Sequence, residues 1–166
     1  MVTGHRGYIG SVLVPILLEK NYDVVGYDAG YYADNKLEDI NESYKSITKD
    51  IRDVSLKDLE GIEGIIHLAG LSNDPLGEFL PELTFDINYQ GTLNLVKLAK
   101  QAGVSRFVYA SSQSMYGLSD LSDELDEDLS EKNPLTAYAK AKWDAEKEIS
   151  TMSTTDFVVT SLRPST

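Results

Sequence analysis

Short β-rich runs alternate with amphipathic stretches along the whole chain. The runs lie at Asp23–Tyr27, Tyr44–Thr48, Gly64–Leu68, Arg106–Ala110 and Phe157–Leu162, each with the length and residue types of a strand. Between them, apolar residues recur at helical spacing. Ile9, Leu13, Ile16 and Leu17 mark one stripe, Leu80 to Ala102 a second region, and Ala137, Ala141, Ala145 and Ile149 a third. Pro15 falls inside the first stripe and predicts a lost backbone hydrogen bond with a local bend. Apolar strands alternating with helices predict an α/β fold, a parallel sheet covered by helices on both faces. No repeat or low-complexity linker interrupts the pattern, so one domain over residues 1–166 is expected.

The region from Leu80 to Ala102 carries more apolar surface than a helix on a sheet requires. On a helical wheel Leu80, Leu83, Ile87, Leu95, Leu98 and Ala102 gather on one side, while Phe85, Tyr89, Leu93 and Val96 fall well round the other. The apolar arc covers roughly two thirds of the circumference. Either another helix of the same chain or a second subunit covers the surplus, and the pattern favours the subunit.

Composition narrows the function classes. The net charge is −12, from 27 acidic and 15 basic residues, and such a surface repels nucleic acid. A phosphorylated ligand stays possible, because backbone N–H groups at a helix start hold phosphate without net positive charge. Much of the acid sits in one run from Ser119 to Glu131, which reads as a solvated loop. Cysteine is absent and only His5 and His67 are present, so neither disulfides nor a metal site are expected. No stretch approaches the roughly 20 apolar residues of a membrane span, and no export leader is visible. A cytoplasmic, metal-free protein that does not bind membranes is expected.

Thr3-Gly4-His5-Arg6-Gly7-Tyr8-Ile9-Gly10 comes directly before the first helical stripe. Glycines at this spacing permit a tight strand-to-helix turn, let the backbone approach a pyrophosphate, and let helix and strand pack closely. The next strand ends at Asp28, 18 residues beyond Gly10. A dinucleotide-binding fold places an acid there against the ribose 2′-hydroxyl. A carboxylate would repel the 2′-phosphate of NADP, so NAD is the expected cofactor. The fold expected is then a Rossmann-type doubly wound sheet.

Ser111-Ser112 follow the run Arg106–Ala110, and Tyr138-Ala139-Lys140-Ala141-Lys142 begins 26 residues after Ser112. Tyr138 and Lys142 are four apart and share a helix face, whereas Lys140 points elsewhere. An ammonium beside a phenol lowers its pKa, and a nicotinamide cation would add to that. With a serine hydroxyl on the same substrate oxygen, the three groups could take a proton from an alcohol while hydride leaves its carbon.

In this order, Thr3–Gly10, Asp28, Asp50-Ile51, His67-Leu68-Ala69-Gly70, Asn88, Ser111-Ser112 with Tyr116-Gly117, Tyr138 to Lys142 and Arg163-Pro164 resemble the extended short-chain dehydrogenases, a family of NAD-dependent nucleotide-sugar epimerases and dehydratases. The resemblance covers the whole chain. It implies that Gly4, Arg6, Gly7, Tyr8, Ile9 and Gly10 form the phosphate turn, that Asp50 and Ile51 meet the adenine, and that Leu68, Ala69 and Gly70 line the cofactor. It implies that Asn88 supports the active-site helix and that Ser112, Tyr138 and Lys142 catalyse, Lys142 also reaching the nicotinamide ribose. It further implies a homodimer through helices near 80–102 and 136–151, paired as a four-helix bundle.

Two departures matter. Sugar 4,6-dehydratases of the family carry Asp-Glu just after the active-site hydroxyl residue, to shuttle a proton for elimination. Here Gln113 and Ser114 stand there, so epimerase rises over dehydratase. Gly70 stands where many members have alanine, and Leu71-Ser72-Asn73-Asp74-Pro75 after it is a candidate substrate contact. Both ends are expected to be cut: only Met1, Val2 and Thr3 precede Gly4, and relatives continue past Arg163-Pro164 with a last strand and a sugar-binding region. The leading expectation is an epimerase of the UDP-glucose 4-epimerase type. A dehydratase, reductase or decarboxylase on the same scaffold, and a non-catalytic dinucleotide-binding module, stand as alternatives.

Overall fold

A computed structural model describes residues 1–32, 43–72, 74–118 and 124–165. Asn73, and the part of the acidic run at residues 119–123, lie outside the described residues. The elements are β1 (Val2–Thr3), α1 (Tyr8–Glu19), β2 (Val25–Asp28), β3 (Lys45–Thr48), β4 (Gly64–His67), α2 (Asp74–Phe79), α3 (Pro81–Phe85), α4 (Thr92–Gln101), β5 (Arg106–Ala110), α5 (Ala137–Ser150) and β6 (Val158–Leu162). Short 3₁₀ turns occupy Ile51–Asp53, Leu56–Leu59 and Gln113–Tyr116, and a π-helical turn, Asp86–Gly91, joins α3 to α4. Among the described residues no helix is long and apolar enough to cross a membrane.

All strand pairs are parallel, in the order β3-β2-β1-β4-β5-β6. The chain runs outward from β1 to β3, then restarts at β4 on the other side of β1. The crevice at the C-terminal ends of β1 and β4 is therefore the topological switch point, where such sheets bind ligands. Alternate residues of the strands feed two cores. Ile65, Phe107 and Tyr109 point into the larger, with Leu93, Leu95, Val96, Ala145 and Ile149 from the helices. Ile66 and Leu68 join the smaller, around Val2, Val14 and Val24 with Leu17 and Leu18 of α1. Helix α1 continues through Pro15, which is exposed.

The region from Leu80 to Ala102 corrects the wheel. Helix α3, the π turn and α4 run on, but the π turn adds residues per turn and rotates α4 relative to a regular helix. Leu93, Leu95 and Val96 are all buried within one chain. Helix α4 packs against α5 and against the 3₁₀ turns after β3, and its apolar residues share one core with those of the strands. The part of the arc at Leu93, Leu95 and Val96 is covered within the chain, while Leu80 stays exposed and Leu83, Phe85, Tyr89 and Leu98 are half-buried.

Candidate active site

A cavity of about 710 Å³ opens at the switch point. Gly4, Arg6, Gly7, Tyr8, Ile9, Gly10, Asp28, Asp50, Ile51, Leu68, Ala69, Gly70, Ser112, Tyr138 and Lys142 all line it. Asn88, expected to support the active-site helix, is not among them. The glycine turn is shaped by contact. Gly4 has φ +69°, and a Cβ on it would stand 2.7 Å from the Ala69 nitrogen. A Cβ on Gly10 would stand 2.6 Å from the His5 Cα, so α1 can lie against the turn only with glycine there. Gly7 caps α1 without a side-chain bond, and the first turn holds no acid. Its N–H groups and dipole are thus open toward the cavity, which fits a pyrophosphate.

At one side wall the Asp28 carboxylate accepts from two backbone amides, Gly30 N (2.7 Å) and Arg6 N (3.2 Å). The Arg6 guanidinium reaches across to Thr48 Oγ1 (2.9 Å) and Ser46 Oγ (3.1 Å) on β3. Asp50 caps the following 3₁₀ turn through Arg52 N (2.9 Å) and pairs with the Arg52 guanidinium (2.8 Å). It also accepts from the Tyr31 hydroxyl. The hydrogen bonds from Arg52 hold this carboxyl well below the usual carboxylate range. Arg52 in turn bridges to Asp86 (2.7 Å) on the π turn, so the end of β3 is tied to the helix behind the cavity.

The floor after β4 is fixed by a directed chain of buried hydrogen bonds. Ala69 N donates to Thr3 Oγ1 (3.2 Å), and Thr3 Oγ1 lies 2.6 Å from His67 Nδ1. On the other side His67 Nε2 lies 2.8 Å from Thr92 Oγ1, which donates to the Asn88 carbonyl (2.7 Å). Since that hydroxyl proton is spent on Asn88, Nε2 must donate and Nδ1 accept, which assigns the tautomer. Burial pushes the imidazole down to about 3, so it stays neutral. Asn88 holds Leu71 by both its backbone groups: Leu71 N donates to Oδ1 (2.7 Å), and Nδ2 donates to the Leu71 carbonyl (2.8 Å). Its expected support therefore reaches the cofactor-lining loop from behind.

The inner end of the cavity gathers the reactive groups. Thr136 caps α5 by accepting from Ala139 N (3.1 Å), and Glu78 of α2 accepts from Ala137 N (2.6 Å). These bonds anchor the turn that carries Tyr138. Lys142, buried one turn further on, donates to the Ala110 carbonyl at the end of β5 (2.7 Å). Its ammonium lies 4.9 Å from the Tyr109 ring centre and 5.9 Å from that of Tyr138. Burial pulls Lys142 down to about 8. The Tyr138 phenol is raised, first by burial and then by Asp74, while Ser112 works against the rise. The depressed phenol expected beside Lys142 is thus not found; burial dominates. Ser112 Oγ accepts from Ser114 N (3.1 Å) and donates to Ser114 Oγ (2.9 Å).

Sequence reasoning missed several lining residues, among them Gly30, Tyr31 and Lys49, and named Ser111 without giving it a role. Ser111 Oγ is buried without a hydrogen-bond partner, an open donor on the cavity wall. A second cavity, of about 370 Å³, lies outside Tyr138's helix start between Asp74, Gln113, Ser114, Tyr116 and Leu135. Asp74 accepts there from the Thr136 hydroxyl (2.8 Å). Of the loop after Gly70, Leu71 and Ser72 line the larger cavity and Asp74 the smaller.

Comparison with known proteins agrees with this fold. The sequence model of the NAD dependent epimerase/dehydratase family matches residues 1–166. A putative UDP-glucose 4-epimerase of Methanocaldococcus jannaschii is 33% identical over 90% of this chain and 49% of its own length. The dTDP-D-glucose 4,6-dehydratase of Mus musculus is 36% identical over 88% of this chain and 43% of its own. The chain thus spans about half the length of these relatives. Among solved structures, the Thermus thermophilus UDP-glucose 4-epimerase in complex with NAD superposes with a TM-score of 0.85 at 27% identity, covering 98% of this chain and 53% of that one. The fold, the glycine turn at its switch point and these matches lead to one statement: the chain belongs to the NAD-dependent epimerase/dehydratase family.

Proposed function

We propose that the protein carrying this chain is a nucleotide-sugar epimerase of the UDP-glucose 4-epimerase type. The observation that carries the reading is the convergence of Ser112, Tyr138 and Lys142 on one end of the cavity whose other end is the glycine turn, with no acid at Gln113 or Ser114. NAD, held by the glycine turn, Asp28 and Lys142, would supply a hydride acceptor and donor for the sugar C4. The chain supplies the rest. Tyr138 accepts the proton of the C4 hydroxyl and later gives it back, Ser112 hydrogen-bonds the same oxygen, and Lys142 provides positive charge and donors for the ribose. Burial raises the Tyr138 phenol, and the positive charge of a bound oxidised nicotinamide would favour its ionisation. Asp28 accepts from the adenosine ribose 2′-hydroxyl, and Asp50 with Ile51 meets the adenine, in competition with Tyr31 for the Asp50 carboxylate.

A dehydratase is the second reading, favoured by the 36% identity to the mouse enzyme and by Asp74 in the cavity beside Gln113. The two part at the product. Incubating the complete protein with NAD and UDP-glucose, and following the sugar protons by NMR, should give UDP-galactose. Loss of water to a 4-keto-6-deoxy sugar would transfer the assignment to the dehydratases. Tyr138→Phe should reduce turnover by about 10²–10⁴ with NAD still bound, and Ser112→Ala by less. Near-wild-type turnover in Tyr138→Phe would overturn the role given to Tyr138.

A further inference from the structure

Arg163 follows β6, and its side chain is the best-connected charged group near the site. Its Nη2 pairs with Glu146 Oε1 at 2.6 Å, and its Nε lies 3.0 Å from Oε1 and 3.4 Å from Oε2. Its Nη1 donates to the Tyr116 hydroxyl and to the Glu127 carbonyl, both at 2.7 Å. The guanidinium is flanked by the Tyr116 and Trp143 rings, at 5.6 and 5.9 Å. One side chain thus joins β6, α5 and the turn that follows Ser112.

Glu146 is where this matters for chemistry. Tyr138, Lys142 and Glu146 stand four residues apart in succession, so they share one face of α5. Lys142 is 5% and Glu146 6% exposed. A buried carboxylate one turn from a buried ammonium would pair with it if nothing else did. Instead Lys142 donates to the Ala110 carbonyl, and Glu146 is held by the fork of Arg163. The field of Glu146 does reach this corner: the Tyr109 phenol under the Lys142 ammonium is pushed up by burial, then by Tyr138 and by Glu146.

We propose that Arg163 is a positioning residue for the Tyr138–Lys142 pair: by engaging Glu146 it keeps that carboxylate off Lys142 and leaves the ammonium facing the cavity. The same fork ties the serine-bearing turn, through Tyr116, to the helix that carries the pair. Only the naming of Tyr138 and Lys142 as the reacting pair rests on the proposed function. The other titratable groups around them are His67 of β4, Tyr109 of β5, Asp74 and Glu78 of α2, and Tyr116. Of these, only Tyr116 loses a contact in the variants below, its bond from Arg163; subtracting each variant's own Tyr138→Phe background removes its titration, so the balance between Arg163 and Glu146 is what the test varies.

The test is the ionisation of Tyr138 in the complete protein. Phenolate absorbance is titrated against pH, and the same titration of a Tyr138→Phe background is subtracted. In Arg163→Gln, Glu146 loses its partner and turns to Lys142, so Tyr138 should titrate higher by roughly one pH unit. Arg163→Gln/Glu146→Gln removes both charges and should return to the wild-type value. Arg163→Lys keeps the charge without the two-pronged fork and should fall between. An unshifted Arg163→Gln, or a double variant shifted as far as the single one, would overturn the proposal. If Arg163→Gln fails to fold, Arg163→Lys decides: a rise in the Tyr138 titration that Glu146→Gln reverses supports the proposal, and an unshifted Arg163→Lys overturns it. Epimerase assays of the same proteins separate the two ideas. A wild type without turnover whose variants shift as stated sinks the proposed function and leaves the positioning role standing.

Discussion

The coupling of Gly70 to Asn88 can be worked out from distances. Asn88 brackets the Leu71 backbone with bonds of 2.7 and 2.8 Å, and Leu71 is 8% exposed. Asn88→Ala strands a buried N–H and a buried carbonyl, each costing about 1–3 kcal/mol, so a loss of about 2–6 kcal/mol is expected. In Gly70→Ala the new Cβ would stand 2.9 Å from Asn88 Oδ1. The amide must give way, which weakens its bond to Leu71 N at a cost of about 0.5–1.5 kcal/mol. With Asn88 already alanine the obstacle is gone. Gly70 is not among the glycines at positive φ, so alanine there should then stabilise by about 0.4–1 kcal/mol through the unfolded chain. The two changes should couple by about 1–2.5 kcal/mol, the sum of those terms. Urea unfolding of the four proteins measures it, with NAD affinity read by calorimetry on each. Additivity within about 0.3 kcal/mol would refute the idea that Asn88 needs a glycine before it.

Three other outcomes are expected. Asp28→Asn should narrow the preference for NAD over NADP by about 1–3 kcal/mol, the worth of one charged contact; tighter NADP binding by the unaltered protein would remove Asp28 from this role. His67 falls from its ordinary 6.5 to about 3 on folding, so the unfolded chain takes up a proton that the folded chain refuses. The stability present above pH 6.5 is therefore lost as pH falls toward 3, at up to about 1.4 kcal/mol per pH unit. Unfolding free energies from pH 7 to 4.5 should show that slope in the wild type and not in His67→Gln, and equal slopes would contradict the assignment. Leu95→Glu and Val96→Glu bury a charge inside one chain and should unfold it; a folded monomer from either, by circular dichroism and sedimentation, would restore the wheel's reading of a subunit face there.

The parts of the site that lie close together along the chain were legible in the sequence. Thr3 to Gly10 makes its turn from its own glycines, Asp28 ends the next strand, and Tyr138 and Lys142 share a face because a helix returns every 3.6 residues. Alternation of strands and helices was enough for a parallel sheet, and right-handed crossovers leave few ways to order it. What the tertiary structure alone decided is what depends on that order and on a break in periodicity. Thr3, His67 and Thr92 form one chain because β1 and β4 are neighbours in register and the π turn brings α4 over them. The same π turn rotates Leu93, Leu95 and Val96 into the core, where a regular wheel put part of them on a free surface. Arg163 and Glu146 were each in plain view. Their pairing depends on β6 lying at the sheet edge beside β5 with α5 packed against it, and burial at that spot also decides that Lys142 is lowered and Tyr138 raised. Side-chain type and short-range spacing are properties of the chain; desolvation and long-range partners exist only once it has closed on itself.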